Sequence, residues 1–290
     1  MHKIPYTLIT GASEGFGKAL ALECARQSMN MILVALPGAE LKNLALYIEK
    51  NYGVCVLYFD HDLTKKEECY KLYKEVKEKN LSVNILINNA GMGGTHFFEE
   101  KDMEYYQRQI ALNVVAPTLL IHLFLPDLQK NNKSYILNVS SLASFFYLPK
   151  KQVYSGTKSY LLAFSKSLRR ELKRKRVFVS TICPGAMNTT LSLILQNRTG
   201  PWLGRWSAMN PEDVAKIAIA GMLKRKEQII PGLLNRLFIL MDKILPGCFK
   251  ELLTDLQMSR VKVFNNPVMM QTNPGLVINP TFISPLKAVL

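Results

Sequence analysis

The sequence lacks the residues of a metal centre and of a disulfide scaffold. Its five cysteines, Cys24, Cys55, Cys69, Cys183 and Cys248, are odd in number, scattered, and form no C-x-x-C pair. That argues against a disulfide framework and fits free thiols in a reducing compartment, so a cytoplasmic location is expected. There are only four histidines, His2, His61, His96 and His122, and they make no ligand cluster with the cysteines. No metal is expected. No uninterrupted apolar run reaches transmembrane length; the nearest, Ile229 to Phe249, is broken by Arg236, Asp242 and Lys243. Strand-like sequence starts at Ile4, so no signal peptide is expected. Internal repeats and low-complexity tracts are missing too, which removes the repeat architectures.

Acidic residues are scarce beside basic ones, 22 against 37, for a net charge of +15. That excess suits phosphate-bearing ligands, anionic membrane surfaces or nucleic acid. The densest cluster, Lys166 to Arg176, reads first as a solvated helix face. Without a zinc-finger or aromatic RNA-binding motif beside it, nucleic acid is not an expected partner. Peripheral contact with a membrane surface is the alternative that the basic charge allows.

What is present is a regular alternation of short apolar runs and amphipathic helical patterns. The runs at 4–10, 30–36, 53–60, 83–88, 134–140 and 177–183 predict strands. The intervals 15–28, 38–51, 64–79, 102–130 and 153–175 predict helices. Strands that are apolar throughout, alternating with helices, imply a mostly parallel sheet covered on both faces. Right-handed crossovers make it an α/β Rossmann-type, doubly wound fold. The expected organisation is one domain over 1–264, with 188–250 supplying a substrate lid and C-terminal helices, and an extended tail over 265–290. Helices are expected near 211–225 and along Leu233–Leu245. Leu191, Leu195, Trp202 and Trp206 suggest an apolar pocket under a cover, although plain core packing reads as well.

Gly11, Gly15 and Gly17 follow the first strand and open the first helix. Glycines there allow a tight turn and close approach of backbone to a ligand, and the helix N-terminus offers free N–H groups to a pyrophosphate. Six features recur in order along the chain: TGASEGFG at 10–17, Asp62-Leu63, Asn88-Asn89-Ala90-Gly91, Asn113 in a long helix, Ser141 after the fifth strand, and Tyr154-x-x-x-Lys158. Pro184-Gly185-x-x-x-Thr189 follows the sixth strand. Each motif alone has an ordinary reading as a turn, a cap or a surface pair. The ordered combination over about 4–230 resembles the short-chain dehydrogenases/reductases. PGLLNRLF at 231–238 resembles an element of their hydroxysteroid dehydrogenase and 3-ketoacyl reductase branch.

The resemblance implies that Gly11, Ser13, Glu14, Gly15, Phe16, Gly17, Leu36, Asp62, Leu63, Asn89, Ala90, Gly91, Pro184, Gly185 and Thr189 line a nicotinamide cofactor site, together with Tyr154 and Lys158. It implies that Asn113 keeps a water in a proton relay, that Lys158 holds the nicotinamide ribose, and that Ser141 rather than Ser140 is the catalytic serine. It also implies a homo-oligomer. The residues argue the chemistry independently. Tyr154 and Lys158 are one helical turn apart and share a face. A phenol titrates near ~10 in water, and a nearby ammonium is expected to lower that value. Ser141 can donate to a substrate oxygen at the end of the fifth strand, where ligands sit in open α/β sheets. The expected reaction is NAD(P)-dependent carbonyl–alcohol interconversion on an apolar, acyl or steroid-like small molecule, with Tyr154 as acid and base. A catalytically silent dinucleotide-binding sensor or scaffold is the alternative. Strand two ends in Ala35, Leu36 and Pro37. It offers neither the acid that favours NAD nor the arginine that favours NADP. Lys18, Lys42 and the basic charge tilt the reading slightly to NADP.

Overall fold

The computed structural model describes residues 4–189 and 207–244. The expected apolar cover at 190–206 and the tail at 265–290 lie outside the described residues. Among those described, seven strands form one sheet in the order β3-β2-β1-β4-β5-β6-β7, and every neighbouring pair is parallel. The strands are β1 Pro5–Thr10, β2 Asn30–Ala35, β3 Val56–Asp60, β4 Ser82–Asn88, β5 Ser134–Val139, β6 Val177–Ile182 and β7 Gln228–Ile229. The helices are α1 Gly15–Arg26, α2 Ala39–Tyr52, α3 Lys66–Glu78, α4 Met103–Ile110, α5 Ala116–Lys130, α6 Gln152–Glu171, α7 Pro211–Leu223 and α8 Leu233–Ile244.

Successive strand residues point to opposite faces, and both faces are buried. Ile9, Leu33, Ile87 and Leu137 pack under α1, α2 and α7. Their neighbours Leu8, Ile32, Leu86 and Ile136 pack under α3 and α5. Each such side chain contributes about 1.5–3 kcal/mol on burial. Covering both faces therefore removes the polar alternation that a half-exposed strand would show. The strand order reverses between β1 and β4, so the crevice outside their C-terminal ends is the place where a ligand fits.

Three details depart from expectation. β3 begins at Val56 because Gly53, at φ +66°, ends α2 in a left-handed cap. β7 was not expected; it pairs only Gln228 and Ile229 with Thr181 and Ile182. The expected helix over 102–130 contains a π turn at Ala111–Val115 between α4 and α5. By length and composition this helix, from Met103 to Lys130, is apolar enough to cross a membrane. By this measure 103–130, rather than the stretch near 229–249, comes nearest to a membrane-spanning segment among the described residues. Gln109, Asn113 and Thr118 interrupt the apolar run without adding charge. The helix instead lays Leu120, Ile121, Phe124 and Leu128 into the core against the sheet.

Candidate active site

The glycine loop is built by backbone contacts that exclude side chains. Gly11 sits at φ +64°, and a Cβ there would lie 2.8 Å from the Ala90 Cα. A Cβ on Gly17 would lie 1.9 Å from the Gly11 carbonyl oxygen. The loop is thereby pressed against the turn after β4. Asn89 fastens the two: its Nδ2 donates to the Thr10 carbonyl at 2.9 Å and to the Gly11 carbonyl at 3.0 Å. Thr10 Oγ1 accepts the backbone N–H groups of both Asn89 and Ala90 at 3.0 Å. Glu14 is the N-cap of α1 but makes no side-chain cap bond. The first N–H groups of α1 thus keep no side-chain partner at the cap, which is the arrangement an anion exploits. We expect Gly17→Ala to destabilise the protein by about 1–3 kcal/mol, because the obstructing atom is backbone. Thermal denaturation and dinucleotide titration of the variant would check this, with binding lost alongside the lowered Tm.

A second cluster lies where β5, α6 and the π turn meet. Ser141 follows β5, accepts the Ala143 N–H at 3.1 Å, and stands near enough to the Tyr154 phenol to lower its pKa. Ser140 is buried, and its hydroxyl donates to the Lys158 carbonyl at 2.8 Å. The geometry therefore separates the two serines, leaving Ser141 beside the phenol. Lys158 is buried on the same face of α6; its Nζ donates to the Val139 carbonyl at 2.9 Å and lies 5.9 Å from the Tyr154 ring centroid. A Cβ added to Gly91 would come 3.2 Å from both that Nζ and Asn113 Oδ1, so lysine and asparagine converge on the turn after β4. Asn113 is held inside the π turn. Its Oδ1 accepts the Met92 N–H at 2.8 Å, and its Nδ2 donates to the Met92 carbonyl at 2.9 Å and to Thr157 Oγ1 at 3.1 Å. Single π turns are frequent at functional sites because they re-aim one residue.

The electrostatics correct one expectation. Burial pushes the Tyr154 phenol above its ordinary range, and the Ser141 hydrogen bond only partly offsets this. Lys158 does not acidify Tyr154 in this geometry. Burial lowers the lysine itself to about 8, which weakens the charge that could favour phenolate.

A family model described as short chain dehydrogenase matches residues 5–198. The chain belongs to the short-chain dehydrogenase/reductase family. It is 33% identical over 196 residues to human 17-beta-hydroxysteroid dehydrogenase type 3, covering 66% of this chain and 61% of that one. It is 29% identical over 193 residues to the very-long-chain 3-oxoacyl-CoA reductase of Anas platyrhynchos, covering 65% and 62%. The chain thus spans about three fifths of the length of these two relatives, which place it in the hydroxysteroid dehydrogenase and ketoacyl reductase branch. A short-chain dehydrogenase from Sphingobium yanoikuyae, solved in complex with NADPH, superposes with a TM-score of 0.73 at 29% identity, covering 87% of this chain and 95% of that one.

Within this family member the expected cofactor residues divide by what their side chains do. Phe16 and Leu63 are buried, and Phe16 packs in the core with α1, leaving only its backbone for a phosphate. Asp62 holds the turn after β3, accepting the Thr64 N–H at 3.1 Å and hydroxyl at 2.6 Å. Ala90 and Gly91 form the turn opposite the glycine loop, and Ser13 lies half-buried within that loop. Thr189 reaches over Gly15, its Cβ 3.3 Å from where a Gly15 Cβ would stand. The Pro184 carbonyl accepts the Leu142 N–H at 2.7 Å, tying the segment after β6 to the serine. Gly185 is required by Asn235, whose amide would lie 2.8 Å from a Cβ there. Leu36 is 62% exposed at the end of β2, and Glu14 is exposed.

Thr10, Thr157, Asn235 and Lys151 were not picked out from the sequence. Threonine before the glycine loop and asparagine in a C-terminal helix carry no signal until the fold brings them to the crevice. Lys151 carries only the i, i+3, i+7 spacing it shares with Tyr154 and Lys158.

Proposed function

We propose that this chain is an NAD(P)(H)-dependent oxidoreductase that interconverts a carbonyl and an alcohol on an apolar or acyl substrate, with Tyr154 as the proton donor and acceptor. The observation that carries this reading is the pairing of Ser141 with the Tyr154 phenol at the C-terminal end of β5, where the serine favours the ionised phenol. A carbonyl oxygen between them accepts from both, and the developing oxyanion is stabilised where water is excluded. The uncapped start of α1 and the Gly11–Gly17 packing fit a pyrophosphate, and the Lys158 ammonium faces the Gly91 turn, where it would hold the ribose. When bound, the nicotinamide supplies or removes the hydride. The names of the relatives, a hydroxysteroid dehydrogenase and a 3-oxoacyl-CoA reductase, support the substrate class, and the NADPH complex of the Sphingobium enzyme supports the cofactor.

The test is separate titration with NADH and NADPH, followed by a ketone and alcohol panel with the cofactor that binds more tightly. Turnover is expected; saturable binding without turnover on any member of the panel would favour a silent sensor instead. Cofactor choice has its own test. Leu36→Arg places a guanidinium at the end of β2, and it should tighten NADPH relative to NADH by about tenfold. Fluorescence titration of wild type and variant with both dinucleotides measures that ratio.

A further inference from the structure

Lys151 is a cation beside the Tyr154 phenol with no ion-pair partner among the described residues, and the redox reading gives it no task. It is the residue before α6, half-buried, with its Nζ 5.5 Å from the Tyr154 ring centroid. It stands at the N-cap of the helix that carries Tyr154 and Lys158, and the two lysines point to different partners. Lys158 serves the Gly91 side of the crevice, whereas Lys151 Nζ donates to the Gly94 carbonyl at 3.3 Å. That bond uses one of three donors. Among the described residues no carboxylate forms an ion pair with it. Burial alone drives its ammonium down to about 8. Holding a charge in such a place without a counter-charge costs free energy that a methionine or leucine would avoid. The backbone also carries strain there: Lys150 lies at φ +64°, and its carbonyl accepts the His96 N–H at 3.0 Å, fixing the two loops together. A partly desolvated cation with no counter-charge among the described residues, next to the reactive group and following a strained residue, is the pattern of a functional site.

We infer that Lys151 binds an anionic group on the substrate close to the reacting carbonyl, so that keto carboxylates form the substrate class. This rests on the redox reading above and narrows it. The carboxylate takes the donors that Gly94 leaves free, and the contact draws the ketone toward Tyr154 and Ser141. A lysine that merely acidified Tyr154 would affect charged and uncharged ketones alike, and one that merely held the 94–96 loop would do the same.

The experiment compares 2-, 3- and 4-oxo carboxylates with their methyl esters at matched chain length, using the full chain and the tighter-binding cofactor. Wild type should reduce the acids with kcat/KM about 10- to 100-fold above the esters. Lys151→Met should lower that acid-to-ester ratio at least about tenfold, chiefly through KM of the acids, and Lys151→Arg should restore most of it. Equal loss on acids and esters, or an ester preference in wild type, overturns the inference while leaving the redox reading intact. Turnover of neither series also overturns it, and dinucleotide titration then shows separately whether the cofactor reading stands.

Discussion

Tyr154→Phe lowers kcat/KM by about 10²–10⁴-fold on any ketone that the wild type reduces, because the variant removes the proton donor and leaves the fold in place. Phenylalanine keeps the ring that lies between Lys151 and Lys158. Ser141→Ala costs about 10²–10³-fold by removing the second donor to the same oxygen. The two losses are not additive. Ser141 and Tyr154 are neighbours that act on one substrate oxygen, so the double variant should be little worse than Tyr154→Phe alone. Steady-state kinetics of the three variants measures this. Additive losses would mean that the hydroxyls serve different steps.

Lys158→Met should abolish measurable turnover and at the same time change how stability depends on pH. Burial lowers the Lys158 pKa from its ordinary value of 10.5 to about 8. Below about 8 both folded and unfolded chains hold the proton, so the full cost of burying the ammonium is present. Between about 8 and 10.5 the unfolded chain binds more protons than the folded one, and stability therefore rises with pH. Lys151 carries a shift of the same sign to the same value, so the wild-type rise has two contributors. Replacing Lys158 removes one of them. Urea denaturation between pH 7 and about 8.5, below the range where the raised thiols of Cys24, Cys69 and Cys183 act in the opposite sense, should show the wild type gaining stability and the variant gaining about half as much. The methionine also leaves the Val139 carbonyl without its 2.9 Å donor. That opposes the gain from removing the charge, so the slope with pH, rather than the value at any one pH, is the diagnostic. A variant with the wild-type slope would mean that Lys158 is not buried as a charge.

The parallel sheet could be read from the chain because both its faces are covered. Leu8 and Ile9, or Ile136 and Leu137, look alike in sequence and point in opposite directions in the fold. β7 escaped notice because two residues cannot display a period, and it exists only through pairing with Thr181 and Ile182. The glycine loop was recognisable, but the reasons for its glycines were not. Gly17 is required by the Gly11 carbonyl and Gly185 by Asn235, and both are contacts between segments far apart in sequence. The serine, tyrosine and lysine stood in motifs. Lys151 did not, since its importance comes from the strained Lys150 before it and from Gly94 on another loop. The expected acidification of Tyr154 failed for a reason that spacing cannot show: the same burial that raises the phenol weakens its neighbour's hold on a proton.

The account stands on hydride passing between a bound nicotinamide and a carbonyl carbon while Tyr154 handles the oxygen. Reduction of a ketone with NAD(P)H carrying deuterium on one or the other face of nicotinamide C4 tests this most directly, with the alcohol product read by mass spectrometry. Deuterium should appear on the carbinol carbon from one labelled face and not from the other. An alcohol that carries no deuterium from either face, or whose hydrogen on that carbon comes from solvent, would contradict it.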